Sequence, residues 1–401
     1  MSCIVQKFGG TSVATLERIR NVAGIIASFV KQKHEVIVVV SAMAGVTNKF
    51  VNYAASLNAY EGDPEYDCLV SSGEQVTSGL LAIALKSLGL QARSYAAWQL
   101  PIYTSGDHGR AVIHSVGALP LSADVNSGVV PVVCGFQGVS YHHRVTTLGR
   151  GGSDLTAVAV ASAVDADLCE IYSDVDGVYT VDPNLYPEAR KIDRISYPEM
   201  LEMASHGAKV LQEQSVDYAM KKNVMVRVAS SFLDSGGTII SQKAPENRFC
   251  GLTVTPNLAP LKVQHAPDHS LDQVIALLRR NFIRAEVFQT YDDDRNCIMV
   301  DKKKVVSAMN ILRDSTFVRM VAPDVLKRRF SLIGAVGSLI SPEICEELAA
   351  ALRHHRVEVL HTCRIEALSK RFSPCFGGFI VPADQLLTAI PILHRHCGLD
   401  K

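Results

Sequence analysis

Apolar positions along this chain alternate between two spacings. Glu35 to Val40 is almost continuously aliphatic, the pattern of a strand buried on both faces. Thr15 to Val30 instead repeats its apolar residues every three or four positions, as a helix with one buried side does. The same reading predicts strands over 2–7, 129–134, 168–173 and 224–228, and helices over 75–88, 154–164 and 197–204. Strands that take turns with helices predict an α/β sandwich around a largely parallel central sheet, and in such sheets ligands gather at the carboxyl ends of the strands.

A polar stretch, 241–248, interrupts this rhythm and marks the expected boundary between residues 1–245 and 250–401. Beyond it the order changes to strand 258–263, helix 271–282, strands 285–289 and 297–300, and helix 305–313. It then repeats as strand 329–333, helix 342–354, strands 358–363 and 375–380, and helix 385–396. Two βαββα units, about 258–320 and 325–401, predict a pair of small ferredoxin-like α+β domains.

Composition narrows the functional classes. Lys plus Arg and Asp plus Glu are 40 each, so no net field favours nucleic acid or an anionic membrane, and any anion must be held by a local arrangement. The apolar runs are strand-sized, far short of the roughly 20 residues that span a bilayer, and the first residues do not read as a targeting segment. The 10 cysteines are scattered without a CxxC pair, which predicts reduced thiols and a cytoplasmic location.

The candidate chemistry lies in loops that follow strands. Lys7-Phe8-Gly9-Gly10-Thr11-Ser12 ends a strand and opens a helix, joining a lysine to a glycine turn and free helix N–H groups. That suits a phosphate, although GxxxxGK[ST] is absent and a plain turn would look similar. The small-residue loop 40–48 leaves the next strand. In Ser71-Ser72-Gly73-Glu74, the glutamate suits either a helix start or an amino-acid ammonium. Leu148-Gly149-Arg150-Gly151-Gly152-Ser153-Asp154 opens an Ala/Val-rich helix, with Arg150 suited to clamp a carboxylate and Asp154 also readable as a cap. Residues 173–183 suit a nucleotide pocket or an exposed hairpin, Lys209 alone reads as a solvated lysine, and 62–67 as an ordinary surface loop.

Seven of these stretches, KFGGTS at 7–12, VSAMAGVTN at 40–48, SSGE at 71–74, GFQGV at 135–139, TLGRGGSD at 147–154, SDVDGVYTVDP at 173–183 and EMASHGAKVLQ at 202–212, together resemble the aspartokinase family in order and spacing. The resemblance implies the amino-acid-kinase fold, an αβα sandwich on a mostly parallel eight-stranded sheet, followed by paired ACT domains. It implies ATP, Mg²⁺ carried on the nucleotide rather than by assigned side chains, and L-aspartate, with 4-phospho-L-aspartate as product on the way to lysine, diaminopimelate, threonine and methionine. Carried over to this sequence, Lys7, Phe8, Gly9, Gly10 and Ser41 would meet the phosphates, and Thr47, Glu74, Arg150, Gly151 and Ser153 would hold aspartate. Asp154 would organise the lysines, Ser173, Asp174, Tyr179 and Asp182 would line the nucleotide pocket, and Lys209 would reach the phosphates from the far side. A lysine or threonine effector and a homo-oligomer are also implied.

The sequence departs from that pattern in two places. The effector loops of such ACT pairs usually carry Pro-Gly, but here they read Ala266-Pro267-Asp268-His269 and Ile340-Ser341-Pro342-Glu343. Glu213-Gln214-Ser215 stands where an arginine is usual. Rival readings are a glutamate or acetylglutamate kinase, against which the 71–74 and 174–183 stretches argue, and an inactive amino-acid-sensing scaffold, against which the presence of Lys7 and Asp154 argues.

Overall fold

The computed structural model describes residues 2–208, 210–233, 235–242, 248–281, 283, 285–290, 295–323, 329–338, 340–364 and 376–400. The chain forms two compact units, one of residues 1–178, 191–204 and 209–245, the other of 179–190, 205–208 and 246–401.

In the first unit the strands are β1 (Cys3–Phe8), β2 (Glu35–Val40), β3 (Gln91–Tyr95), β4 (Ile102–Thr104), β5 (Ile113–Val116), β6 (Val129–Cys134), β7 (Gln137–Ser140), β8 (Val145–Thr147), β9 (Leu168–Ser173), β10 (Arg194–Ser196), β11 (Val226–Ser230) and β12 (Thr238–Ser241). The helices are α1 (Leu16–Lys31), α2 (Val46–Ser56), α3 (Pro64–Val70), α4 (Ser72–Ser87), α5 (Leu119–Asn126), α6 (Gly152–Ala163), α7 (Tyr197–Ser205) and α8 (Glu213–Lys222). Eight strands make one sheet in the order β10-β12-β11-β9-β1-β2-β6-β3, parallel throughout except for β11 against β12. A four-stranded sheet, β5-β4-β7-β8, stands apart from it.

The central strands are aliphatic because both faces are covered. Residues 36–40 of β2 are all buried, and α1, capped by the Thr15 hydroxyl on Arg18 N–H, lays Ile19, Val22, Ala23 and Ile26 on the sheet. Helix α6 is buried on almost every side, which is why its sequence is Ala and Val rather than amphipathic. One stretch, Pro64–Ser87, is long and apolar enough to cross a membrane by length and composition. It folds as α3 and α4, with Leu81 and Leu85 fully buried in the sheet's core.

The second unit is built on one long strand, β13 (Gly251–His265). It is followed by α9 (Leu271–Arg280), β14 (Ala285–Thr290), β15 (Arg295–Asp301), α10 (Val305–Arg313), β16 (Val318–Pro323), β17 (Phe330–Val336), α11 (Pro342–His354), β18 (His361–Arg364), β19 (Phe376–Pro382) and α12 (Leu386–His396). The later part of β13 pairs with β15 and β16, and its start, Gly251 to Thr255, pairs with β17. Both ferredoxin-like ACT repeats thus share a seven-stranded antiparallel sheet. Leu261, Val263 and Leu278 belong to one core, and Leu252, Ile333 and Phe379 to the other.

Candidate active site

Six adjacent strands of the large sheet, β11, β9, β1, β2, β6 and β3, point their carboxyl ends to one edge. Strand order reverses there between β1, which leads on to β2 and β6, and β9, which leads on to β11. Crevices of this kind form at such reversal points. Gly9 N–H donates to the carbonyl of Tyr172 across this point, and Ser41 N–H donates to that of Phe8.

A cavity of about 710 Å³ opens on this edge, lined among others by Lys7, Gly10, Ser41, Thr47, Glu74, Arg150, Gly151, Ser153 and Asp154. Two helices begin on it, α2 at Gly45 and α6 at Gly151, and neither has a side-chain cap on its first N–H groups, while α4, which follows directly on α3, adds Glu74 from its first turn. Helices α1 and α3, whose starts are not part of this lining, are capped by Thr15 and Asp63. Free N–H groups and the positive ends of helix dipoles therefore converge on the cavity, the arrangement that binds anions. Gly45 and Gly151 reach their positions with φ of 83° and 71°, in the region that favours glycine. At Gly10 the need is space, since a Cβ would lie 2.9 Å from the Ala42 carbonyl.

The charged groups are held inside this frame. Lys7 and Asp154 are each about nine-tenths buried and lie 2.5 Å apart, Nζ to Oδ1, on β1 and the first turn of α6. Glu74 is only 3% exposed. Its Oε1 accepts from Ala42 N–H at 3.0 Å, while Oε2 has no partner. Burial pushes this carboxyl up to about 7, although backbone hydrogen bonds favour the ionised form. Arg150 is exposed on the cavity rim, and among the described residues no carboxylate pairs with it. No group of three or more His, Cys, Asp or Glu suited to a metal occurs among the described residues.

Other predicted residues fall elsewhere. Phe8 turns to the opposite face of β1, fully buried and stacked on Tyr172 at 4.7 Å, so only its backbone borders the edge. Ser173 ends β9 and Asp174 follows it, with the Ser173 hydroxyl donating to Asp174 at 3.0 Å. Tyr179 and Asp182 belong to the second unit, where Asp182 Oδ1 accepts from Asn184 N–H at 2.9 Å. Lys209 lies outside the described residues. One reading is overturned. Residues 64–67 are not surface loop but the start of α3, with Asp63 as cap and Pro64 in its first turn, and Asp67 is fully buried. The Asp-Pro-Glu run at 63–65 was the signal for that helix.

The amino acid kinase family profile matches residues 2–230. The aspartokinase of Rickettsia bellii is 43% identical over 288 residues, 70% of this chain and 71% of that one. Aspartokinase III of E. coli, solved with aspartate and ADP in the R-state, superposes with a TM-score of 0.79 at 26% identity, covering 98% of this chain and 99% of that one. The same enzyme solved with lysine and aspartate in the T-state gives a TM-score of 0.75 at 26% identity, with the same coverage. With its strand order, its glycine-framed edge and these relatives, the chain belongs to the amino acid kinase family and, within it, to the aspartokinases, and it is a kinase.

Proposed function

We propose that this kinase transfers the γ-phosphoryl group of ATP to the side-chain carboxylate of L-aspartate, giving 4-phospho-L-aspartate and ADP, the first step toward lysine and diaminopimelate, threonine and methionine. The observation that carries this reading is one cavity that joins a buried Lys–Asp pair, two uncapped helix N-termini and a buried carboxylate with a spare oxygen. An amino acid with two carboxylates needs one cationic clamp, one anionic partner for its ammonium, and a neutralised path to the phosphate. Arg150 would clamp a carboxylate bidentately, Glu74 Oε2 would take the ammonium, and Thr47, Gly151 and Ser153 would fix the remaining oxygens.

The attacking oxygen is already ionised near neutral pH, so no general base is required. The difficulty is that an anion attacks an anion. Lys7 Nζ beside Gly9 and Gly10 would meet the transferring phosphoryl, with Ser41 near the neighbouring phosphates and Asp154 keeping Lys7 aimed. Ser173, Asp174, Tyr179 and Asp182 would line the nucleotide, and Lys209 would neutralise the phosphates from the other side. Mg²⁺ suits this donor set as an ion carried by the phosphates, where it would neutralise charge and hold their geometry. The R-state relative bound to aspartate and ADP supports the substrates, and the T-state relative bound to lysine supports an amino-acid effector, lysine or threonine, on the ACT pair. Boundaries near residue 245 and near 320–325, a cytoplasmic location and a homo-oligomer complete the proposal.

The test is ATP- and Mg²⁺-dependent formation of aspartyl hydroxamate, with glutamate and N-acetylglutamate as controls and with lysine and threonine added in turn. Turnover on aspartate alone is expected, and preference for either control would overturn the assignment. Lys7→Ala should lower kcat by about a hundredfold or more while leaving a folded protein, and a folded variant of near-normal activity would defeat the mechanism.

A further inference from the structure

We propose that Asp67 is the positioning residue of the substrate side of this cavity, a role that rests on the functional reading above. Asp67 does not touch the cavity. It sits fully buried on α3, and its two oxygens collect donors from two separate segments. His108 Nδ1 lies 2.8 Å from Oδ2, and Gly109 N–H donates to both oxygens at 3.1 and 3.0 Å. From the end of β8, Thr147 N–H donates to Oδ2 at 2.9 Å and the Thr147 hydroxyl to Oδ1 at 2.6 Å.

Gly109 and Thr147 both form cavity wall. They are tied to each other as well, since Ala111 N–H donates to the Thr147 carbonyl at 2.9 Å. Thr147 is also where the chain turns into Leu148-Gly149-Arg150-Gly151 and the start of α6. Gly149 is pressed against the Gly109 carbonyl, 3.1 Å from where a Cβ would stand. One carboxylate therefore fixes both sides of the approach to Arg150. Three N–H or O–H donors, making four hydrogen bonds, and an imidazole on a single buried carboxylate are more than a short seven-residue helix needs for its own stability. Removing the anion would leave those donors buried and unpaired. The Arg150 turn would then lose its registration, while the Lys7 and Gly9-Gly10 side of the cavity has no bond to Asp67.

The experiment compares kcat, KM for aspartate and KM for ATP in full-length wild type, Asp67→Asn, Thr147→Val and Thr147→Ser, with thermal melting of each. In Asp67→Asn the KM for aspartate should rise about ten- to hundredfold while KM for ATP moves less than about threefold. Thr147→Val should shift it in the same direction by about five- to tenfold, and Thr147→Ser, which keeps the hydroxyl, should return it toward wild type. A folded Asp67→Asn with unchanged KM for aspartate, or equal rises for both substrates, would show a merely structural carboxylate and overturn the inference. If Asp67→Asn does not fold, the two Thr147 variants decide, and equal KM values in them overturn it. Wild type inert on aspartate would instead sink the functional reading.

Discussion

Glu74 combines two properties that oppose each other. Its buried carboxyl titrates near 7, so folding favours the protonated form between the ordinary carboxylate value and that point, whereas an ammonium ligand favours the ionised form. The folded pKa is raised, so stability from this group is fully present below about pH 4.5 and is lost as pH rises through about 7. Glu74→Gln, which keeps the acceptor for Ala42 N–H, should therefore be more stable than wild type at alkaline pH by ~1–3 kcal/mol, with the difference fading in acid. Chemical denaturation across pH measures this, and an alkaline advantage for wild type would refute it. In wild type, the KM for aspartate should fall between about pH 6 and about pH 8 as the carboxyl ionises. Glu74→Gln should remove that dependence and most of the affinity. A pH-independent KM in wild type would mean that Glu74 does not face the ammonium.

At the scale of elements, the site is made by loops that must pass very close to one another. Gly10 and Ala42 lie on neighbouring loops after β1 and β2, joined by Ala44 N–H to the Gly10 carbonyl at 3.2 Å. A methyl group on Gly10 would press on a backbone oxygen that has no rotamer by which to yield. Gly10→Ala should cost ~1–2 kcal/mol in stability and lower kcat/KM by about ten- to hundredfold through misplacement of the turn; wild-type kinetics would show the contact to be slack. These elements were unequally legible. Strands 35–40, 129–134 and 168–173 were predicted to the residue, because burial on both faces leaves an unbroken aliphatic run. Strands β4, β5, β7 and β8 span only three or four residues each, too few for a period to register, and they went unpredicted. The clustering of Lys7, Glu74, Arg150 and Asp154 was legible only through the loops that carry them. Asp67 was not, because a carboxylate near a loop looks solvated until its distant donors, at 108–109 and 147, are known.

Over the whole molecule, β13 is the member on which most depends. It supplies a strand to each half of the second unit's sheet, so the halves should lose structure together rather than in turn. Leu252→Asp, at the start of β13, buries a charge in the core beside β17 and should destabilise by about 3 kcal/mol or more. Hydrogen exchange should then accelerate in β15 as well as in β17 and β19, and unchanged protection in β15 would show the halves to be independent. The sequence reading began this strand at 258 because Thr255-Pro256-Asn257 breaks the aliphatic run, although the backbone continues through it.

The two units also exchange chain. Residues 179–190 fold with the second unit, where Leu252 N–H donates to the Thr180 carbonyl at 2.5 Å and the Thr180 hydroxyl lies 2.9 Å from Nε2 of buried His394. Residues 205–208 do the same, the His206 carbonyl accepting from the Thr255 hydroxyl at 3.0 Å. For gene shuffling, this means that no single crossover point delivers an intact module. A chimera joined near residue 245 would carry two stretches of one parent's chain that must mate with a foreign scaffold, so working hybrids require 179–190 and 205–208 to be inherited from the same parent as the C-terminal half.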